Sequence, residues 1–261
     1  YNPPRMDLYP LSPVLGTAQN RLEYYPHVPQ YSCCPNFIFH FHSTERVMAD
    51  DSNLVLKPAS LQLESPPIVL ASRSSARRAL LESAGIRVQY QAADVDEHAI
   101  RTACRARGLD ADQTALELAR AKAGAIGTPP GTLVIGADQI LTCNDTWFDK
   151  PVDRTQARAH LRQLRGQSHI LHTAVVMMRD GGMVWRHVAR PMLHMRAFSD
   201  AFVEQYLQIE GEAILSCVGC YRLEGVGIHL FSRIEGEHSA IVGLPLLPLF
   251  DALRAQGCLV Q

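Results

Sequence analysis

The chain has 261 residues, of which 47% are hydrophobic and 20% are charged, a composition typical of an ordinary soluble globular protein. This length suits one large domain or two small ones. The net charge of −1 gives the protein no overall attraction to nucleic acid or to a membrane surface, so any anion site must be local. No apolar run approaches the length of a membrane span, and the first residues lack a signal-peptide pattern.

The cysteines favour a reducing compartment. There are 7 of them, an odd number, and they are scattered along the chain, which predicts free thiols and a cytoplasmic protein. Cys217 and Cys220 form the single CxxC motif. Their neighbours Leu215, Val218 and Tyr221 predict a strand, so this motif is expected to do neither zinc nor redox chemistry.

The first part of the chain differs from the rest. Residues 1–64 are rich in proline and tyrosine and show no sustained period of strand or helix, which predicts a poorly ordered N-terminal extension. Met48 begins a stretch, MADDSNLVLKPAS, that would be a plausible translation start, so residues 1–47 are interpreted as an added upstream segment. Residues 65–261 are predicted to form the functional domain.

From Pro67 onward, strand and helix patterns alternate. The predicted elements in chain order are a strand over 68–72, a helix begun by Ser74 or Ser75 and ended by Gly85, a strand over 86–91, a helix within 114–127, and a strand over 132–139. There follow a hairpin turning at Asn144-Asp145, a helix over 154–165 capped by Asp153, two long strands about Gly181-Gly182, a helix capped by Ser199, and finally two strands and a helix with Pro245 in its first turn. This order predicts an α/β fold with a mixed, twisted sheet and flanking helices, because hairpin strands cannot be parallel.

The junction after the first strand has the chemistry of an anion site. Ser72, Ser74 and Arg77 lie where the strand gives way to a helix, whose free N–H groups and partial positive charge suit phosphate. Arg77 adds a planar fork that can hold two phosphate oxygens. A solvated, capped helix start would look the same in the sequence. Phosphate loops of the GxxxxGK[ST] type, GxGxxG turns and GxSxG elbows are absent from the sequence.

Four further polar residues lie at the ends of predicted elements. Asp138 ends the apolar strand LVIGA, where it is either a cap or a metal ligand and base, and Glu97 follows the preceding strand. Lys122 borders an apolar helical stripe and Lys150 precedes Pro151, so a snorkelling lysine and a turn lysine are the alternatives. As a set, these carboxylates, cations and hydroxyls are what phosphoryl chemistry requires.

Six motifs follow one another between about Ile68 and Gly257: LASRSSARRALLESAG, LARAKA, VIGADQ, DKP, LRGQSHILHTAV and HSAIVGLPL. In these motifs and in their order, the chain resembles the Maf family of nucleoside triphosphate pyrophosphatases.

The resemblance implies a two-lobed mixed α/β fold around a cleft, akin to inosine triphosphatases, and hydrolysis of a nucleotide to its monophosphate and pyrophosphate with Mg²⁺ or Mn²⁺. Asp138 matches the family's proton acceptor, and Ser72 and Arg77 match its phosphate-contacting positions. Glu97, Lys122 and Lys150 match other polar residues of the family's cleft. We therefore expect Ser72, Ser74, Arg77, Lys122 and Lys150 to bind substrate and Glu97 and Asp138 to hold the metal.

The base preference depends on three positions. The branch of the family that acts on dTTP and UTP usually has an arginine, a threonine and a glutamine where this chain has Ala76, Gln139 and Glu224. Gln139 and Glu224 instead resemble the branch that prefers 7-methyl-GTP. A carboxylate at Glu224 can accept hydrogen bonds from the N1–H and the exocyclic amine of guanine, and this role is our own inference.

Two alternatives to this prediction remain open: a dTTP/UTP pyrophosphatase, and a non-catalytic nucleotide-binding regulator of cell division. A phosphatase that releases single phosphates is a weaker third. The expected partner is the nucleotide, with no nucleic acid and no membrane, and a homodimer is possible.

Overall fold

The computed structural model describes residues 60–261. The predicted upstream segment, residues 1–47, and nearly all of the predicted extension, residues 1–64, therefore lie outside the described residues. Within residues 60–261, no helix is long and apolar enough to cross a membrane.

Eight strands of the described chain form one sheet. They are β1 (Ile68–Ala71), β2 (Gln89–Tyr90), β3 (Leu133–Cys143), β4 (Thr146–Phe148), β5 (Ser168–Arg179), β6 (Gly182–Ala189), β7 (Met192–Met195) and β8 (Phe231–Glu235). The strand order is β2-β1-β3-β5-β7-β8, with β4 paired to β3 and β6 paired to β5. β1 is parallel to β2 and β3, whereas the other pairs are antiparallel. The predicted mixed sheet is confirmed.

Helices flank this sheet. Those of residues 60–261 are α1 (Ser75–Ser83), α2 (Glu97–Ala106), α3 (Ala111–Gly124), α4 (Arg154–Leu164), α5 (Asp200–Glu210), α6 (His238–Val242) and α7 (Leu246–Ala255), with 3₁₀ turns at Ala213–Ser216 and Val226–Leu230. The predicted helix caps Ser74, Asp153 and Ser199 each accept a hydrogen bond from a backbone N–H of the first turn. Pro245 is the N-cap of α7, one position before the first turn in which it was predicted.

Two main hydrophobic cores lie along the sheet, and the long strands β3 and β5 contribute to both. In the first core, Ile135 of β3 packs with β1, α1 and α7. In the second, Leu141 of β3 packs with α4, α5 and the chain that follows α5. A smaller cluster lies under α3, where Leu118 contacts β3 and β5 residues. The residues of the candidate site lie along the stretch of β3 between Ile135 and Leu141.

Several elements of the structure differ from the prediction. α2 was not predicted, and its Asp96 cap accepts from the N–H of Ala99 at 2.9 Å. The strand predicted from the neighbours of the CxxC motif is a 3₁₀ turn followed by irregular chain, and Cys220 has φ of 57°, which no strand residue adopts. Only one strand, β8, follows α5, where two were predicted.

The chain pairs with its own C-terminal end before β1 begins. The N–H of Leu63 donates to the carbonyl of Cys258 at 2.8 Å, and the N–H of Val260 donates to that of Leu61 at 2.8 Å. Gln62 exchanges side-chain hydrogen bonds with the backbone of Arg87. Paired structure within the described residues therefore starts by Leu61.

Candidate active site

A buried chain of charges forms the centre of the site. Asp138 on β3 is only 4% exposed, and its Oδ1 lies 2.7 Å from Nζ of Lys122 on α3. The same Nζ lies 2.9 Å from Oε1 of Glu97, the first residue of α2. The Lys122 ammonium therefore bridges two carboxylates, one buried and one exposed. Oδ2 of Asp138 is buried and accepts no hydrogen bond from any described residue.

Backbone geometry explains why Asp138 is available in the middle of a sheet. The pairing of β1 with β3 ends at Ala71 and Gly136, whereas β3 continues to Cys143. Asp138 was predicted at the end of its strand, and that is wrong. It lies in mid-strand, just past the end of the parallel neighbour, which leaves an opening in the sheet on that side.

Gly136 sets the distance between α3 and β3. A Cβ at this position would lie 2.1 Å from the carbonyl oxygen of Ala119 and 2.9 Å from Cβ of Ala123, so only glycine allows α3 to approach so closely. Lys122 lies within this close contact. Its side chain reaches Asp138 because the helix rests directly on the strand.

Arg77 of α1 occupies the opening beyond β1. Its Nε donates to the carbonyl of Gly243 at 2.8 Å, and its Nη1 donates to the carbonyl of Ala137 at 2.9 Å and to Oγ of Ser72 at 3.4 Å. Ser72 also accepts from the N–H of Ser74 at 3.2 Å. The predicted phosphate cradle is thus brought together, but Nε and Nη1 of Arg77 are already used to join α1, β3 and the end of α6.

Electrostatic effects connect the remaining members of the set. Burial lowers the pKa of the Lys150 ammonium, and the nearby Arg77 guanidinium lowers it further. Burial also lowers the pKa of Arg77, and the charges of Asp138 and Glu97 oppose this effect. Among residues 60–261, no carboxylate forms an ion pair with Lys150. The charges of Glu97 and Asp138 oppose the lowering of the Lys150 pKa as well, and an anion bound beside these two neighbouring cations would stabilise them further.

The pKa of Glu97 is also affected by nearby cations. Burial raises its pKa, but the Lys122 ammonium, with smaller contributions from Lys150 and Arg101, lowers it more, so the net shift is downward. Glu97 is therefore held as a carboxylate at the edge of the site.

Arg101 is a site residue that sequence reasoning missed. It lies one turn after Glu97 on α2, and its Nη2 is 3.7 Å from Oδ2 of Asp138. Its Nη1 lies 2.5 Å from Oδ1 of Asp149, the residue before Lys150. The signal that could have found it is the i, i+4 spacing from Glu97, but only a predicted α2 would have given that spacing a meaning.

Among the described residues, the side chains at the three positions predicted to set the base preference form no hydrogen bond or ion pair with the Asp138 carboxylate. The amide nitrogen of Gln139 donates to Oγ1 of Thr173 at 2.8 Å and to the carbonyls of Ala240 and Ile241 at 3.0 and 3.1 Å. It therefore ties β3 to α6. Glu224 is exposed in the turn before the second 3₁₀ helix and forms no ion pair with another described residue, and Ala76 is half-buried in α1.

Comparison with known proteins gives consistent matches. The family model described as Maf-like protein matches residues 67–256. A nucleoside triphosphate pyrophosphatase of Gluconobacter oxydans is 52% identical over 192 residues, which cover 73% of this chain and 95% of the relative. One from Granulibacter bethesdensis is 50% identical over 193 residues, or 74% of this chain and 98% of that protein. A 7-methyl-GTP pyrophosphatase of Rhizobium johnstonii is 43% identical over 196 residues, covering 75% and 98%.

Proposed function

The chain belongs to the family of Maf-like proteins, and on that basis we propose that it hydrolyses a nucleoside triphosphate to the monophosphate and pyrophosphate. The observation that carries the proposal is Asp138, a buried carboxylate that is ion-paired through Oδ1. Its Oδ2 accepts no hydrogen bond from residues 60–261, and the cationic side chains of Lys122 and Arg101 lie beside the carboxylate. An oxygen of this kind can accept a proton from a water molecule that attacks the α-phosphorus.

The remaining residues of the site would contact different parts of the triphosphate. The N-terminus of α1 with Ser72 and Ser74 offers hydroxyl and N–H donors to phosphate oxygens. Lys122 and Lys150 offset the negative charge that develops on the α-phosphoryl oxygens and on the pyrophosphate leaving group. Arg77, whose Nε and Nη1 are engaged internally, both fixes this cradle and presents its remaining nitrogen, Nη2.

Glu97 and Asp138 would hold a divalent cation, Mg²⁺ or Mn²⁺. Their fit is supported by the closeness of the two carboxylates, which share the Lys122 ammonium, and by the carboxylate chemistry that these hard cations prefer. The described residues contain no group of three metal-ligating side chains, so the other ligands would be phosphate oxygens and water, as is usual for Mg²⁺. When bound, the cation would neutralise charge on the phosphate oxygens.

For the base we propose 7-methyl-GTP, with dTTP or UTP as the alternative. The exposed carboxylate of Glu224 is chemically suited to the N1–H and amine of a guanine, whereas a uracil edge both donates and accepts and therefore matches an amide. The Rhizobium johnstonii relative carries the name 7-methyl-GTP pyrophosphatase, while the other two relatives described above carry the general name.

The test is a pyrophosphate-release screen over canonical and modified nucleotides with Mg²⁺, Mn²⁺ and Co²⁺. We expect stoichiometric monophosphate and pyrophosphate, with the highest kcat/KM for 7-methyl-GTP. Preference for dTTP or UTP would overturn the proposed base, and release of single phosphates would overturn the reaction. Nucleotide binding without any product would instead favour the non-catalytic regulator.

Glu224→Gln tests the base separately from the reaction. This substitution keeps the shape of the side chain but gives it a donor, so we expect kcat/KM to fall for 7-methyl-GTP and to rise for UTP. Glu212→Gln, which changes a carboxylate that is part of none of the contacts described above, is the matched control and should leave both values unchanged.

A further inference from the structure

The guanidinium of Arg101 connects two carboxylates that come from distant parts of the chain. Nη1 lies 2.5 Å from Oδ1 of Asp149, and Nη2 lies 3.7 Å from Oδ2 of Asp138. Arg101 is itself largely buried, with 16% of its side chain exposed. One side chain on α2 thus contacts both the central strand and the segment that follows β4.

The contact with Asp149 does little for the stability of the fold. The Asp149 side chain is 64% exposed, and exposed ion pairs contribute only about 0–1 kcal/mol. The ion pair between Arg101 and Asp149 instead restricts the position of Asp149. Asp149 is followed directly by Lys150 and Pro151, and a residue before proline is restricted to extended backbone, so holding Asp149 also fixes the direction in which Lys150 leaves the chain.

The second contact has the geometry of an ion pair without a hydrogen bond. At 3.7 Å the guanidinium stabilises the negative charge of Asp138 but is too far from Oδ2 to occupy a lone pair of that oxygen. Oδ2 is accordingly without a hydrogen-bond donor among the described residues. The guanidinium therefore faces this oxygen without hydrogen-bonding to it.

We propose that Arg101 is a positioning residue of the site: one arm holds Asp149 and thereby places Lys150, and the other supplies the counter-charge to Asp138. The inference rests on the proposed pyrophosphatase function. We expect lysine to replace Arg101 only in part, because Asp149 and Asp138 are contacted by two different nitrogens of the planar guanidinium and lysine has one.

The test uses steady-state kinetics and hydrogen–deuterium exchange on the full chain with Arg101→Ala, Arg101→Lys and Asp149→Asn. We expect Arg101→Ala to lower kcat roughly 10- to 100-fold, the range seen when supporting residues are removed, with little change in KM. Asp149→Asn should lower kcat less, because only one arm is lost. The double variant should be no slower than Arg101→Ala, since Asp149 acts only through Arg101.

Arg101→Lys should recover only part of the lost kcat, by restoring a charge near Asp138. In both Arg101→Ala and Asp149→Asn, backbone exchange should increase over residues 149–153 and stay unchanged in β3. Arg120→Ala is the matched control, because Arg120 forms an exposed ion pair with Glu117 one helix away, and it should leave kcat and exchange unaltered.

Wild-type kcat in Arg101→Ala, full recovery by Arg101→Lys, or additive losses in the double variant would overturn the proposal. If the wild-type protein releases no pyrophosphate from any nucleotide, the proposed function fails instead. The exchange measurement then still decides whether Arg101 fixes the segment around Lys150, since it needs no activity, and unchanged exchange over residues 149–153 would overturn that.

Discussion

Replacing Lys122 with methionine removes the ammonium that bridges Asp138 and Glu97 but keeps most of the apolar stem of the side chain. Lys122 is 9% exposed and Asp138 is 4% exposed, so the variant leaves a buried carboxylate without its closest counter-charge. Arg101 remains, but at 3.7 Å. The structure therefore predicts destabilisation as well as loss of turnover.

The magnitude follows from which of the two contacts is buried. Removing one partner of a buried ion pair costs about 3–5 kcal/mol, whereas an exposed pair such as that with Glu97 contributes about 0–1 kcal/mol. Because Arg101 compensates in part, we expect the free energy of unfolding to fall by about 3 kcal/mol. For a domain of this size that corresponds to a Tm lower by roughly 6–12 °C.

The assay is urea and thermal unfolding of Lys122→Met, Asp138→Asn and the double variant, followed by circular dichroism. The double variant has no uncompensated buried charge, so it should recover most of the stability that Lys122→Met loses. If the double variant is as unstable as Lys122→Met, or if Lys122→Met is as stable as the wild type, the reasoning from the buried ion pair is refuted.

Acid unfolding gives a second readout of the same substitution. Burial raises the pKa of Glu97, but Lys122 and the neighbouring cations lower it more. A carboxylate whose pKa is lowered in the folded state adds stability above its unfolded pKa, and this stability is lost as the pH falls through the folded pKa. In Lys122→Met, the part of the free energy of unfolding that is lost on acidification because Glu97 becomes protonated should therefore be smaller, as measured by unfolding at a series of pH values.

Three further predictions concern single residues of the fold, two beside the site and one in a hydrophobic core. Gly136→Ala should lower the free energy of unfolding in urea by about 3 kcal/mol or more and lower kcat, because the new Cβ would overlap the carbonyl oxygen of Ala119. Gly127→Ala is the control: Gly127 has open space around it, so this substitution should leave the free energy of unfolding and kcat unchanged. Burial lowers the pKa of His169 to about 4, so between pH 6.5 and about 4 the unfolded chain binds a proton that the folded protein does not, and the free energy of unfolding falls as the pH falls. His169→Gln should make this fall smaller, and an identical pH dependence of unfolding in the two proteins would contradict the prediction. Arg77→Lys should lower the free energy of unfolding by about 1.5–3 kcal/mol and reduce kcat, because one ammonium nitrogen cannot take the places of both Nε and Nη1. Wild-type values in both assays would contradict the assigned contacts.

Local signals in the sequence predicted much of the fold. The turn at Asn144-Asp145 connects β3 and β4 as expected, and Asn144 has φ of 52°, a conformation that asparagine tolerates well. Ser74 and Asp153 were correct as caps because a cap needs only the residue and its own first turn. The mixed sheet could be predicted because the strands of a hairpin are antiparallel, whereas strands joined through a helix are often parallel.

What could not be predicted depends on contacts between distant residues. α2 was missed although Ile100, Ala103 and Cys104 stand at helical spacing, because this apolar stripe spans a single turn and only Cys104 is fully buried. The ion pair between Arg101 and Asp149, 48 positions apart, was equally invisible in the sequence.

The chain after α5 shows the opposite failure, because its apolar residues suggested structure that is absent. Val218 and Tyr221 are buried in the second core and Leu215 packs against it, and these apolar residues were interpreted as a strand. They reach the core from a 3₁₀ turn and irregular chain. A hydrophobic pattern reports burial, and the backbone that achieves it is decided by the surrounding packing.

The most direct test of the account compares pyrophosphate release by the wild-type protein and by Asp138→Asn, with a divalent cation present and both proteins verified as folded by circular dichroism. The account predicts monophosphate and pyrophosphate from the wild type, and a loss of nearly all turnover in the variant, because its amide cannot accept the proton from the attacking water. Near-normal turnover by Asp138→Asn on every nucleotide tried would contradict the central role of this carboxylate.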